Sequence, residues 1–132
     1  MSGDNVVLDS NIMIYLSQGK IPVDDLIRNG ISYFISAITY MEVMGYKFES
    51  RSEEKAVSNL VDLFTIIYID DKISRKVVEI RKKHKIRLPD AIICATAIEH
   101  KAILYTNDKK LKSVKGLDSE FIKVKGEGQS KV

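Results

Sequence analysis

The sequence predicts an α/β fold in which a mostly parallel sheet is covered by helices on both faces. Short apolar runs rich in β-branched residues recur along the chain, and polar residues bound them, as is typical of buried strands. Helix caps and apolar residues at helical spacing separate these runs. Strands that alternate with helices favour a parallel sheet. The length of 132 residues, with 45% hydrophobic and 30% charged residues, fits one soluble globular domain.

The first half of the chain contains three predicted strands and the helices between them. The strands are residues 6–8, 31–36 and 65–69. The helices are residues 12–17, a short segment that Pro22 opens and Asn29-Gly30 ends, residues 37–48, and a segment that begins with the capping-box spacing of Ser50 and Glu53. Strands and helices therefore alternate through this half of the chain, as in a parallel sheet covered by helices.

The second half repeats this alternation. Asp70-Asp71 begins a helix with a strongly basic outer face, and Pro89 takes the first position of a helix that runs to about residue 100. A strand at 102–105, a short helix at 108–113 and an edge strand at 121–124 follow. We therefore predict one domain over residues 1–124 and a flexible tail over residues 125–132.

Composition excludes several classes of function. The chain has one cysteine, Cys94, and two histidines, so an intrachain disulfide is impossible and a Cys/His zinc site is not expected. Cys94 lies in an apolar run, where we expect an inert buried thiol in a reducing compartment. No apolar run approaches the ~20 residues that span a bilayer, and no signal peptide is expected. The net charge of +3 permits polyanion binding without requiring it.

Four acidic residues lie where apolar runs end or helices begin: Asp9, Glu42, Asp90 and Asp108. In open α/β sheets the functional site lies outside the carboxyl ends of the strands, and the predicted elements bring all four acids to that edge. Oxygen-rich sites of this kind suit hard divalent ions such as Mg²⁺ or Mn²⁺. The set therefore predicts a divalent-metal site.

Each acid also has a local structural explanation. Asp9 could cap the first helix, although Ser10 and Asn11 could do so instead. Glu42 either needs a cationic partner within its apolar helix or faces solvent. Asp90 would interact favourably with a helix dipole, and Asp108 could be a cap. The metal-site prediction therefore depends on the four acids taken together.

The segments VVLDSNIMIYL, SAITYMEV, LPDAIICATA and LYTNDKKL, in this order and spacing, closely resemble the PIN-domain family. The nearest branch is the VapC-type toxin ribonucleases of toxin–antitoxin pairs. This resemblance implies a PIN-like α/β/α sandwich with a central sheet of four or five strands, and a Mg²⁺- or Mn²⁺-dependent endoribonuclease. Asp9, Glu42, Asp90 and Asp108 match the acids of the family. Asn11 and Thr106 match polar positions that usually support the site.

The resemblance also implies an RNA substrate, a homodimer, a cognate antitoxin and a cytoplasmic location. Basic residues cluster in the ranges 72–87 and 109–115. Candidate RNA contacts among them, which could instead form a merely solvated face, are Arg75, Arg81, Lys82, Lys83, Arg87, Lys109 and Lys110. His84 is expected to face solvent rather than to act as a catalyst. One departure from the family is that Lys109, Lys110 and Leu111 stand where many relatives have an acid and an aromatic residue. How a second metal ion is held is therefore left open.

Two alternative functions remain open at this point. A PIN-like RNA-binding or interaction module that does not cleave RNA would share the fold, but the presence of all four acids argues against it. An aspartyl-phosphate phosphatase or receiver-like domain would also have an Asp after the first strand. Such phosphatases have a second Asp two residues later, where this chain has Asn11.

Overall fold

The computed structural model describes residues 5–124 and contains one five-stranded sheet in which every strand pairing is parallel. The strands are β1 (Asn5–Leu8), β2 (Ser32–Ser36), β3 (Thr65–Ile67), β4 (Ile103–Thr106) and β5 (Ser119–Phe121). The helices are α1 (Ser10–Ser17), α2 (Val23–Leu26), α3 (Ala37–Met44), α4 (Arg51–Val61), α5 (Asp71–Lys83), α6 (Leu88–Glu99) and a 3-10 helix (Lys109–Ser113). The predicted α/β/α class is confirmed, with five strands.

Side chains of the central strand β1 alternate between two separate apolar cores. Val7 packs in one core with Leu104 and with residues of α5 and α6. Val6 and Leu8 pack in the other core with residues of α1, α3 and α4. This alternation is the period of a strand that is buried on both faces, and it explains why the run VVL contains no polar residue.

The strand order is β3-β2-β1-β4-β5, so the chain extends the sheet in opposite directions from β1. β2 lies on one side of β1 and β4 lies on the other. A crevice forms outside the carboxyl ends of the strands at such a switch point, and it is the usual ligand site of open α/β sheets. Asp9 follows β1 at this point, and Asp108 follows β4 after one intervening residue.

Several predicted boundaries are wrong by two to four residues. Helix α1 begins at Ser10 rather than at residue 12, because Asp9 is its N-cap. α3 ends at Met44 because Gly45 closes it, donating its N–H to the Met41 carbonyl oxygen. β3 ends at Ile67, because its pairing with β2 stops where β2 becomes α3 at Ser36. β5 spans residues 119–121 rather than 121–124 because its pairing with β4 begins at Ser119. Because this edge strand begins with polar residues, the sequence pattern does not show where it starts. The predicted tail over residues 125–132 lies outside the described residues.

Candidate active site

Asp9 lies at the carboxyl end of β1 and caps helix α1. Its side chain is only 5% exposed. One carboxylate oxygen accepts a hydrogen bond from the backbone N–H of Asn11 at 3.4 Å, so Asp9 itself is the helix cap. Of the two alternatives left open by the sequence, capping by Asp9 is the one found, and Ser10 and Asn11 are not the cap. The capping bond uses only Oδ1, and the Asn11 side chain is exposed at the start of the helix.

Thr106 connects Asp9 to Asp108. The Thr106 hydroxyl, 3% exposed at the end of β4, donates to Asp9 Oδ2 at 2.6 Å. The same hydroxyl oxygen accepts the backbone N–H of Asp108 at 3.0 Å. The Asp108 side chain caps the 3-10 helix by accepting the N–H of Lys110. One buried hydroxyl therefore fixes both the Asp9 carboxylate and the backbone that carries Asp108.

Glu42 lies six residues beyond the end of β2, on helix α3, and it is exposed. Its neighbour Met41 is 54% exposed, so the apolar run around Glu42 does not place it in the core. Of the two alternatives, Glu42 takes the solvent-facing one. Its carboxylate nevertheless has a partner, because the Ser10 hydroxyl donates to Glu42 Oε1 at 2.7 Å.

Asp90 lies in the first turn of α6, where the helix dipole favours a carboxylate. Its side chain is half-buried and accepts a hydrogen bond from Arg87 Nε at 3.3 Å. Arg87 is mostly exposed, and such pairs contribute little to stability. The guanidinium is therefore a local counter-charge that can leave Asp90 at small energetic cost.

The charges of these acids influence one another. Burial raises the pKa of Asp9, the hydrogen bond from Thr106 opposes that rise, and the nearby negative charge of Asp90 adds to it. Burial also raises the pKa of the Cys94 thiol to about 12, with smaller contributions from Asp90, Asp9 and Asp108. Cys94 is thus the inert thiol that the sequence predicts. A cation near Asp9 and Asp90 would relieve the electrostatic cost of ionising Asp9.

The four acids are connected but not closed into a ligand shell. In residues 5–124, no three acidic, histidine or cysteine side chains lie together as a group that could hold a metal ion. The connections are pairwise. Thr106 links Asp9 to Asp108, and electrostatic repulsion couples Asp9 to Asp90. Glu42 is connected only through its hydrogen bond with Ser10, the residue that follows Asp9. Ser10 was interpreted from sequence only as a possible helix cap. Its burial beside an exposed acid is a feature that only the fold reveals.

An open groove of about 570 Å³ extends from the acids between the α5–α6 connection and the 3-10 helix. Asp90 and Asp108 line it together with four nitrogen-bearing side chains: His84, Lys85, Arg87 and Lys110. Of the predicted RNA contacts, Arg87 and Lys110 are therefore beside the acids. The groove offers positive charge next to negative charge, which is the arrangement that an acidic site needs to admit a phosphate chain.

The remaining predicted RNA contacts are not among the residues that line this groove. Arg75 and Lys83 form ion pairs within α5, with Asp71 and Glu79 respectively. Lys109 Nζ lies 5.3 Å above the centre of the Phe121 ring. Arg81 and Lys82 are exposed on α5.

His84 is half-buried rather than solvent-facing, which corrects the expectation from sequence. Its Nε2 accepts the backbone N–H of Lys115 at 3.3 Å. This bond ties the end of α5 to the segment after the 3-10 helix, and thus joins the two walls of the groove. His84 has a structural role in the fold that a lysine-rich sequence context conceals.

Most of the chain matches a known protein family. The PIN domain matches residues 6–117. The chain belongs to the PIN-domain family. The match covers all four acids, and it confirms the family prediction made from the motifs.

Solved structures similar to this chain include toxin–antitoxin complexes. A toxin–antitoxin complex from Klebsiella pneumoniae shares 32% sequence identity with a TM-score of 0.71, over 89% of this chain and 99% of that chain. VapBC2 from Rickettsia felis, bound to a promoter DNA fragment, has 22% identity and a TM-score of 0.78, over 89% and 98% of the two chains. DNA-bound VapBC from Salmonella typhimurium has 19% identity and a TM-score of 0.76, over 89% and 97%. No curated protein matches the chain.

Among the helices of residues 5–124, none has the length and apolar character needed to cross a membrane.

Proposed function

We propose that this PIN domain is a VapC-like toxin that hydrolyses RNA phosphodiester bonds with the help of Mg²⁺ or Mn²⁺. The observation that carries the proposal is the buried carboxylate of Asp9, located at the switch point of the sheet and close enough to Asp90 for the two charges to interact. A structural cap needs neither that burial nor a second carboxylate nearby. A site that binds a cation and a phosphate uses both.

The donor set fits a hard divalent cation, because every candidate ligand is a carboxylate oxygen. Asp9, Glu42 and Asp90 would hold the ion, and Asp108 would hold a second ion or orient water. When bound, such an ion activates water for attack and neutralises charge on the phosphodiester. Asp9 is buried and fixed by Thr106, whereas Glu42 is exposed and Asp90 is half-buried, so Asp9 would be the anchor of the site.

The protein's own residues divide the remaining work. Thr106 keeps Asp9 oriented and Asp108 in place. Asn11 supports the site through its backbone N–H, which bonds Asp9. No histidine base is needed where a metal ion activates the water, and His84 Nε2 accepts the backbone N–H of Lys115. The reaction assigned to this site leaves a 5′-phosphate and a 3′-hydroxyl and does not require the ribose 2′-hydroxyl as nucleophile.

The basic groove would admit the RNA. Arg87 and Lys110 lie beside Asp90 and Asp108, at the right place to contact phosphates that flank the scissile one. Arg75, Arg81, Lys82, Lys83 and Lys109 extend the same positive face as further proposed contacts. Contacts of this type are salt-sensitive and carry little sequence information.

The RNA path can be tested by the salt dependence of binding. Arg87→Ala should weaken binding of a non-cleavable RNA and lower the slope of log K against log salt concentration by about one. Arg28→Ala is the matched control, because Arg28 is exposed and precedes β2 at the opposite end of the strands. Equal slopes for the two variants would remove Arg87 from the proposed path.

An antitoxin protein and a second copy of the chain are the proposed partners. The solved neighbours are themselves toxin–antitoxin complexes, and one of them shares 32% identity with this chain. An antitoxin segment carrying a basic side chain would neutralise the acids and block the groove. A cytoplasmic location follows from the same proposal and agrees with the lone buried thiol, Cys94.

A PIN-like module that binds RNA without cleaving it is the second candidate. It is favoured by one observation, namely that no three potential ligands in residues 5–124 are grouped as a metal-binding cluster. Such a module would bind RNA through the basic groove with or without a divalent ion. The two candidates therefore differ in metal dependence and in cleavage.

Cleavage of end-labelled RNA by antitoxin-free protein tests the proposal. Mg²⁺, Mn²⁺ and EDTA are compared for wild type, for Asp90→Asn and for Asp62→Asn, an exposed acid just before β3 at the opposite end of the strands. We expect cutting that requires metal, disappears in Asp90→Asn and persists in Asp62→Asn. Equal cutting by all three proteins would indicate a contaminant. RNA binding without cutting, across a broad RNA pool with metal, would favour the second candidate.

A further inference from the structure

Two buried hydroxyl groups lie beneath the exposed carboxylate of Glu42. Ser10, at the start of α1, is 7% exposed and lies 2.7 Å from Glu42 Oε1. Thr39, on α3, is fully buried, and its hydroxyl lies 3.1 Å from that of Ser10. Neither hydroxyl was identified from the sequence as part of the site.

The number of available protons fixes which group donates in each of these two hydrogen bonds. A hydroxyl has one proton, and an ionised carboxylate can only accept. The Ser10 proton therefore lies in the short, charge-assisted bond to Glu42, and the Thr39 hydroxyl supplies the proton for the bond between the two hydroxyls. The result is a chain of two hydrogen bonds that ends on the Glu42 carboxylate.

Ser10 follows Asp9 directly in sequence, whereas Glu42 lies on a different helix. The bond between Ser10 and Glu42 thus spans α1 and α3 and orients the second acid relative to the first. Without it, an exposed glutamate on a helix surface samples several rotamers, and restricting it to one of them on binding costs conformational entropy. Orientation before binding removes part of that cost.

We infer that Ser10, supported by Thr39, is a positioning residue that holds Glu42 toward Asp9 for divalent-metal binding. This inference rests on the proposed function. A simpler role is that the two hydroxyls merely satisfy each other where α1 packs against α3. That simpler role affects the thermal stability of the metal-free protein but not the affinity for the ion.

The matched variants are Ser10→Ala, which removes the donor, and the pair Thr39→Val and Thr39→Ser. Valine has nearly the shape of threonine but lacks the hydroxyl, whereas serine keeps the hydroxyl and lacks the methyl group. Removing a partner that orients a metal ligand typically lowers metal affinity by about 10–100-fold. We expect a loss of that size for Ser10→Ala, a smaller loss for Thr39→Val, and near wild-type affinity for Thr39→Ser.

The experiment is calorimetric titration of metal-free protein with Mn²⁺ alone, on the full chain, with thermal unfolding as the check on folding. Glu42→Gln and the double variant Ser10→Ala/Glu42→Gln complete a cycle. The inference predicts that Ser10→Ala weakens binding by about 10–100-fold in the wild-type background and has no further effect in the Glu42→Gln background. Equal losses in both backgrounds would overturn it.

Failure of this inference and failure of the proposed function give different results. If Asp9→Asn abolishes Mn²⁺ binding while Ser10→Ala binds within twofold of wild type, the metal site stands and the positioning role is wrong. If wild type does not bind Mn²⁺, or Asp9→Asn binds as well as wild type, the metal site itself is wrong. Should Ser10→Ala not fold, equal affinities for Thr39→Val and Thr39→Ser would overturn the positioning role.

Discussion

Replacing Thr106 with valine probes a buried polar contact of the site. Thr106 donates to Asp9 Oδ2 at 2.6 Å, across 97 residues of sequence, and both side chains are almost completely buried. Valine keeps the shape of threonine and removes only the hydroxyl. The Asp9 carboxylate then stays buried without this donor, and the Asp108 N–H loses its acceptor.

The expected cost follows from the charge of the acceptor. A hydrogen bond to a charged group contributes about 1.5–3 kcal/mol. For a chain of this length, 1 kcal/mol corresponds to about 4 °C in Tm. Thr106→Val should therefore lower the Tm of the metal-free protein by roughly 6–12 °C near neutral pH. Thr106→Ser, which keeps the hydroxyl, should lose less than half as much.

The pH dependence separates loss of this bond from a general packing defect. Burial already raises the pKa of Asp9, and removing the Thr106 donor raises it further. A carboxyl with a raised pKa in the folded state costs stability once it ionises, and this cost disappears as the pH falls through that pKa. The difference between wild type and Thr106→Val should therefore shrink on acidification. Thermal melts that show the same difference from neutral pH to about pH 3.8, the ordinary pKa of an aspartate, or a loss below about 2 °C at neutral pH, would refute the reasoning.

Four further predictions concern stability and reactivity. Asp9→Asn should raise the Tm of the metal-free protein at neutral pH, because it removes a buried charge whose pKa is raised, and the gain should vanish as the pH falls through the pKa of Asp9. Saturating Mn²⁺, at 100 times its Kd, should stabilise wild type by about 2.7 kcal/mol and leave that variant unchanged in melts. Cys94 should resist alkylation in the native protein at pH 8, because burial raises its thiol pKa to about 12. Mass spectrometry should show full alkylation after denaturation. Rapid labelling of the native protein would contradict this prediction. Leu104→Ala, at a fully buried position, should cost about 2–5 kcal/mol in denaturant titrations, whereas the control Leu63→Ala, at a position 70% exposed, should change stability by less than about 0.5 kcal/mol.

The layout of the fold could be predicted from the sequence because its strands are buried on both faces. The apolar run VVL and the later runs of the same kind mark the strands, and Pro89 and Ser50 mark helix starts. The edge strand β5 was misplaced because Ser119 and Glu120 face little apolar surface, so no alternation marks them. Periodicity predicts elements that are buried, and it fails where an edge is held mainly by backbone hydrogen bonds.

The candidate site was predictable as a set of four acids but not as a geometry. Acidic residues at strand ends and helix starts indicate a common edge, whatever the spacing in sequence. The roles of Ser10 and His84 depend on contacts across 32 and 31 residues, which no local pattern encodes. The apolar neighbours of Glu42 also did not indicate whether it is buried, because Met41 is exposed along with Glu42. Long-range side-chain pairs of this kind require the fold to be known.

The most direct test of the central claim is anomalous diffraction from crystals of this protein, free of antitoxin and soaked in Mn²⁺. The account predicts an anomalous peak at the switch point between β1 and β4, within about 2.0–2.3 Å of carboxylate oxygens of Asp9, Glu42 and Asp90. It also predicts that Ser10 still contacts the Glu42 side chain in that structure. Crystals at saturating Mn²⁺ with no peak near Asp9, or with the ion bound only at surface carboxylates elsewhere, would contradict the claim that these acids form one metal site.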